Sequence, residues 1–172
     1  MFKIIAIAVL VVLVAILIFA TTKPDNFRVE RSTTIKAAPE KVFALINDFQ
    51  RWTTWSPYEK KDPGMKRTYS GAASGTGAIY EWDGDKNVGK GRMEITEATP
   101  SSRIVIKLDF LAPFEAHNTA EFTLQAQGDS TQVTWAMYGP ANFISKLMSV
   151  FFSMDKMVGD DFAIGLANLK AA

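Results

Sequence analysis

The sequence contains no cysteine and a single histidine. The missing thiols exclude disulfides, cysteine nucleophiles, thiolate-held iron–sulfur clusters and a lipoprotein-type acyl anchor. One imidazole alone leaves no ordinary ligand set for zinc. A charge surplus is also lacking. Lys and Arg total 19 against 18 Asp and Glu, a net charge of +1, so the basic field that displaces counterions from nucleic acid is absent and no nucleic-acid partner is expected. No G-x-S-x-G elbow occurs, and His117 alone does not make a serine triad. Neither a metal nor a cofactor is expected. What remains is 172 residues with 48% hydrophobic and 22% charged side chains, enough for one packed domain.

Ile4 to Ala20 (IIAIAVLVVLVAILIFA) carries no polar side chain. With Met1 and Phe2 it approaches the ~20 residues that cross a hydrocarbon core about 30 Å thick. A cleaved secretory signal is the rival reading. Its apolar core runs only roughly 7–15 residues and ends in an A-x-A-like site, and this segment matches neither feature. Residues 1–20 are therefore expected to be a single-pass membrane anchor. Basic residues flank both ends (Lys3 before; Lys23, Arg28 and Arg31 after). The short leading tail points to an extracytoplasmic domain. Residues 21–26 (TTKPDN) read as a linker whose reach of some 20 Å holds the following domain against the bilayer.

Residues 27–172 change period. FRVERSTTIKA alternates, with Phe27, Val29 and Ile35 on one face. Pro39 opens a short helix striped by Val42, Phe43, Leu45, Ile46 and Phe49, and Arg51–Pro57 continues or ends it. Six strands are then expected at Met65–Ser70, Gly77–Asp83, Lys90–Ala98, Arg103–Phe110, Ala116–Ala126 and Gln132–Tyr138, joined by polar or Gly/Pro turns as an antiparallel meander. Gly139-Pro140 ends the sheet pattern, and Ala141–Lys170 reads as one long helix. The order is β–αα–β6–α, an α+β fold. Phe143 to Val158 is apolar around most of the helix, so it requires cover on all sides from the sheet, a ligand or the bilayer.

VERSTTIKAAPEKVFALINDFQRWTTWSP, YSG with GTGAIYEWDG and VGKGRMEITE, and FEAHNTAEFTL with TQVTWAMYGP resemble the SRPBCC superfamily, and more closely its polyketide cyclase/dehydrase-like branch. The resemblance covers residues 27–172 and leaves out the anchor. It implies a helix-grip fold: a bent antiparallel sheet around a C-terminal helix, with an apolar cavity between them. Relatives include START lipid-transfer domains, the birch-pollen allergen group and activators of chaperone ATPases, so fold alone does not select the activity.

Strand parity turns Met93, Ile106, Phe110, Asn118, Phe122 and Trp135 inward and His117 outward. In Gly77–Asp83 either Tyr80 and Trp82 or Ile79 and Glu81 face the interior, and alternation leaves the choice open. Together with Trp55, Tyr80, Trp82, Met148, Phe151, Met154 and Val158, the inward set is the expected ligand cavity, with Met148–Met157 lining or gating its membrane-facing mouth. Asn118, Arg31 and Tyr80 are candidates to orient a ligand. Arg31 shares a face with Val29; buried there it needs a partner such as Glu81, and otherwise it sits at the rim with its guanidinium in water. Arg31, Glu81 and Tyr80 are the candidate catalytic groups.

Two apparent motifs fail. Asp83-Gly84-Asp85-Lys86-Asn87 with Glu94 mimics a calcium loop but has Val88 where glycine is required, and Gly84-x4-Gly89-Lys90 mimics a phosphate loop but continues with Gly91 into a strand.

The expected function is membrane-anchored binding, extending to transport, of a hydrophobic small molecule or lipid. The alternatives are a cyclase/dehydrase-like enzyme, which needs at least two titratable groups converging in the cavity, and a protein-interaction module with a filled interior.

Overall fold

A computed structural model describes residues 2–172. It contains an N-terminal helix α1 (Phe2–Thr21) and a seven-stranded antiparallel sheet with flanking helices. Strand β1 (Asn26–Ile35) is followed by α2 (Pro39–Ile46), a 3-10 turn (Phe49–Arg51), α3 (Trp52–Trp55) and α4 (Pro57–Lys61). Then come β2 (Lys66–Gly71), β3 (Ala78–Asp83), β4 (Lys90–Thr99), β5 (Arg103–Ala112), β6 (Ala116–Gln127) and β7 (Ser130–Pro140). Helices α5 (Phe143–Phe151) and α6 (Met154–Ala171) close the chain. The sheet order is β1-β7-β6-β5-β4-β3-β2. The meander runs outward from β7 to β2, and β1 returns to pair with β7. The result is the helix-grip-like α+β arrangement expected from the residue pattern.

The inner sheet face packs on α6, which buries Phe162, Leu166 and Leu169. Two glycines permit the close approach. A Cβ on Gly165 would lie 2.7 Å from Trp135 Cζ3, and one on Gly159 would strike the Arg31 guanidinium. A register shift between Ile95 and Glu97 on the β4–β5 ladder adds a local bend to the sheet. In β3, Tyr80 and Trp82 are buried while Glu81 is exposed on the outer face, which resolves the parity left open above.

The expected single C-terminal helix is two. Phe152 is extended (φ −129°, ψ 135°), and the Ser153 side chain caps α6 by accepting a hydrogen bond from the Lys156 N–H at 3.2 Å. A serine N-cap satisfies an otherwise orphaned donor and so starts a new helix inside a continuous apolar run. Helix α5 buries none of its residues and packs against α1. In α1 only Ala20 is buried; the helix is long and apolar enough to cross a membrane.

Antiparallel register sorts the loops by end. The α1–β1 and β7–α5 junctions, the β3–β4 loop (84–89) and the β5–β6 loop (113–115) lie at one end of the sheet. The β1–α2, β2–β3, β4–β5 and β6–β7 connections lie at the other.

Candidate functional site

Between the sheet and α6 lies a cavity of about 170 Å³. Its floor is aromatic: Trp135 stacks on Phe162 with ring centroids 4.0 Å apart, and Trp52 meets Trp135 edge-on at 6.3 Å. Met65, Met93 and Met137 form much of the wall, and their unbranched thioethers adapt to irregular contents. Trp55, Phe122 and Ile106 are fully buried behind this lining and close the core.

One corner is polar. Glu59, on α4, is 7% exposed and lines the cavity. Its Oε1 accepts from the Tyr80 hydroxyl at 2.7 Å and its Oε2 from Arg67 Nε at 2.6 Å. Arg67 is held in turn by the carbonyls of Met65 (2.8 Å) and Pro63 (3.3 Å). Burial, and then the Glu59 hydrogen bond, push the Tyr80 phenol well above its ordinary pKa; burial, and then the charge of Asp161, do the same to Tyr58, which also lines the cavity. Both phenols are therefore neutral donors at physiological pH. A carboxylate has about four acceptor positions, so Glu59 retains capacity for a further donor.

The four indoles differ. Trp52, Trp55 and Trp82 donate to the carbonyls of Ile46, Leu45 and Val88 at 2.8, 3.1 and 3.0 Å. Trp135 Nε1 is buried with no hydrogen-bond partner. An unsatisfied buried donor costs about 1–3 kcal/mol, and this one is sealed in the core behind the ring face that lines the cavity.

Of the residues expected from the sequence, Tyr80, Trp82, Met93, Phe110, Trp135 and Val158 line the cavity. Asn118 is buried beside Gly139, whose Cβ position would lie 2.4 Å from Asn118 Oδ1, and does not line it. Met148 and Phe151 are on the exposed side of α5, and Met154 is half-buried in the first turn of α6. The Arg31–Glu81 pair is not made, because four strands separate β1 from β3 and Glu81 faces outward. Arg31 instead crosses Gly159 to bond Asp155 at 2.9 and 3.0 Å at the rim.

His117 faces outward, with Nδ1 2.7 Å from Asp109 and Nε2 3.3 Å from Glu115. Among the described residues no group of three or more His, Asp or Glu is arranged to hold a metal ion. Sequence reasoning missed Glu59 and Arg67, the polar corner itself. Glu59 sits in Pro57-Tyr58-Glu59-Lys60-Lys61, a pattern indistinguishable from a solvated turn.

Comparison with known proteins agrees with this geometry. Residues 26–172 match the family model described as polyketide cyclase / dehydrase and lipid transport. The Aha1 dimer structure from Colwellia psychrerythraea superposes with a TM-score of 0.57 at 16% identity, covering 85% of this chain and 95% of that one. A solution structure from Thermobifida fusca gives 0.62 at 19% identity, covering 83% and 90%. DynU16, encoded in the dynemicin biosynthetic locus, gives 0.60 at 17% identity, covering 87% of this chain and 47% of that one. These likenesses establish the fold alone. No curated protein matches the chain. With the family model matched over residues 26–172, the chain belongs to the polyketide cyclase/dehydrase and lipid transport family.

Proposed function

We propose that this domain binds one small hydrophobic molecule in the sheet–α6 cavity while α1 anchors it to a membrane, with the domain on the extracytoplasmic side. The observation that carries the reading is an apolar hollow with a hydrogen-bonding corner, Glu59–Tyr80, and few other polar lining side chains (Ser56, Tyr58 and Asn87). A cavity of about 170 Å³ is close to the engineered ~150 Å³ cavity that holds benzene. The occupant is therefore about one ring in size, or the buried end of something longer. Burying ~150 Å² of apolar ligand surface contributes about 4 kcal/mol, which alone gives a dissociation constant near 1 mM. A charge-assisted hydrogen bond to Glu59, worth roughly 2 kcal/mol, brings it to tens of micromolar. The ligand class is thus apolar, with a donor at one end for Glu59.

The test is mass spectrometry of organic extracts from the purified full chain, paired with Ala120→Leu. Ala120 is a buried lining residue, and leucine there fills the hollow without adding a polar atom. An apolar compound co-purifying with the native chain and absent from A120L is the expected result. Extracts empty in both, together with no saturable uptake of a one-ring apolar fluorophore, refute the reading. Fractionation and external protease treatment of intact cells test the anchor and the side it presents.

A second reading is favoured by the same corner: a cyclase/dehydrase-type enzyme in which Glu59 and the Tyr80 or Tyr58 phenol move protons on a bound carbonyl compound. Two or more titratable groups do converge at the cavity, as proton transfer needs. Glu59→Gln separates the readings, since catalysis would vanish outright while ligand binding would only weaken toward the ~1 mM set by apolar burial.

A further inference from the structure

We infer that the end of the sheet carrying α1 is a membrane-docking face, in which α5 and the β5–β6 loop sit at the headgroup–acyl boundary of the bilayer that α1 spans. The inference rests on the reading of α1 as an anchor and extends it from a leash to a fixed posture.

Exposed apolar surface is unevenly spread. Among the described residues outside α1, Leu111 and Phe114 around the β5–β6 loop and Phe143, Ile144, Met148 and Phe151 on α5 gather at one end, with Phe152 and Met157 continuing from α5 into α6. Of the other large exposed apolar side chains, Ile164 lies farther along α6 and Tyr69, 38% exposed, lies on β2 toward the opposite end, whose turns are Gly71–Gly77, Pro100–Ser102 and Gly128–Asp129. A cluster of that kind on one end marks an interaction surface. The end it occupies is the end from which α1 departs.

Contacts between α1 and α5 then fix the depth. The Asp25 carbonyl accepts the Ala141 N–H at 2.7 Å, and the Asp25 carboxylate pairs with Lys146 on α5. Helix α5 packs on α1, where Ala20 is buried and Ile16 half-buried. The four-residue interval from Ile16 to Ala20 spans about 6 Å of helix rise. An interfacial amphipathic helix buries its apolar face ~5–10 Å into the same boundary. With α1 across the bilayer, α5 therefore lies at interfacial depth and parallel insertion of its exposed face covers what the protein leaves bare. Lys23, stacked over the Phe19 ring at 4.5 Å, marks the headgroup level. Charges of both signs are interspersed at this end, Asp83 pairing with Lys90 and Asp85 and Glu115 lying on the same two loops as Lys86 and Phe114, so zwitterionic lipid suffices for the test.

Asn87, Val88 and Phe110 line the cavity and belong to this same end. The docking face therefore brings this edge of the cavity toward the lipid surface.

The native chain has no cysteine, so single cysteines label uniquely. Four full-length variants, Phe114→Cys, Phe151→Cys, Leu10→Cys (anchor) and Ser74→Cys (opposite end), are labelled with an environment-sensitive fluorophore and placed in phosphatidylcholine nanodiscs. Phe114, Phe151 and Ser74 are exposed, and far-ultraviolet circular dichroism checks that each variant is folded. Labels at 114 and 151 should lose roughly half or more of their emission to a nitroxide on the lipid acyl chain, as the label at 10 does, while the label at 74 responds only to aqueous iodide. If 10 is quenched by the lipid nitroxide but 114 and 151 respond to iodide like 74, the docking face is wrong and the anchor stands. If 10 itself is open to iodide, the anchor reading fails and the inference goes with it. Shielding of 114 and 151 from both quenchers, with energy transfer between labelled copies, assigns the face to a second copy of the chain and also overturns the proposal.

Discussion

The Arg67–Glu59–Tyr80 chain offers a quantitative test of the polar corner. In Arg67→Met the flexible methionine replaces the aliphatic stem of arginine, and Glu59 keeps the Tyr80 hydroxyl while losing its only cation partner. The Glu59 side chain is 6% exposed, so water does not replace that cation. Removing one partner from a buried ion pair costs about 3–5 kcal/mol, because the remaining charge is uncompensated. Glu59→Gln is milder. Arg67 is 23% exposed and keeps its two carbonyl partners, and the amide still accepts one hydrogen bond. Its cost is about 1–2 kcal/mol, the difference between a charged and a neutral hydrogen bond.

In the double variant no orphan charge exists, so its destabilisation should fall below that of Arg67→Met alone. The coupling is then roughly 2–3 kcal/mol, at the upper end for contacting residues. Urea unfolding of detergent-solubilised full chain, followed by tryptophan emission, measures it. All four tryptophans are buried in the domain and none lies in α1, so the signal reports the domain only. Additive effects, or an Arg67→Met cost under about 1 kcal/mol, would show that Glu59 is solvated and refute the corner as described.

The other expectations are simpler. The hydrogen bond to Asp109, against a smaller opposing desolvation, raises the His117 pKa above its ordinary 6.5. The stability it contributes is full below the unfolded value and is lost as pH rises through the folded one; an NMR titration should show the raised value and its return toward 6.5 in Asp109→Asn. Asp109 itself is lowered below 3.8, since hydrogen bonds from His117 and Lys107 together outweigh the larger single effect of burial. Its contribution is present above 3.8 and lost as pH falls through the folded value, so His117→Ala should make acid unfolding set in at higher pH. Gly165→Ala should destabilise by about 1–3 kcal/mol despite better helix propensity, because the new methyl meets Trp135 and the Pro57 ring. Gly159→Ala should lie near zero, the ~1 kcal/mol propensity gain offsetting a displaced, exposed Arg31–Asp155 pair; thermal melts of the two variants decide.

The fold was legible because its information is periodic. Val29, Ile35, Leu124 and Val133 alternate with polar neighbours, and burial follows that alternation. Asn118 and Trp135 were placed inward by the same parity, and both are buried. Alternation left Ala78–Asp83 open because Ile79 competes with the amphipathic Tyr80 and Trp82 for the interior and an inward Glu81 would have offered Arg31 a partner. The break at Phe152–Ser153 was hidden by apolar residues on both sides, although Ser153 followed by Asp155 carries an N-terminal signature. Glu59 was out of reach for a different reason. Its burial depends on α4 meeting β2 and β3, a tertiary event between segments that look solvent-facing in isolation. Parity likewise cannot separate core from cavity lining: Phe122 and Trp135 are cross-strand partners on the inner face, and only the second borders the hollow.

Cavity size and molecular posture constrain each other. Pockets for drug-sized ligands run ~300–1,000 Å³, and this one holds about 170 Å³. A longer apolar molecule is accommodated only if a wall moves or if part of the molecule stays outside. The Trp52–Trp55–Phe122–Trp135–Phe162 cluster is interlocked by stacked and edge-on contacts, and displacing it would cost packing throughout the core. The remaining lining is softer: methionine side chains, Val158 in the fifth helical position after the α6 cap, and Asn87-Val88 in a hairpin loop. Asn87-Val88 belongs to the end at which α1 leaves and α5 lies bare. On the docking proposed above, an apolar chain projecting from the cavity there would enter lipid instead of water, and growth of the bound molecule would be favourable without enlarging the interior. A series of alkylphenols in nanodiscs should therefore bind with affinity that keeps rising past the chain length that fills the hollow, whereas in detergent-free water, on a chain shielded from lipid, the rise should stop at that length.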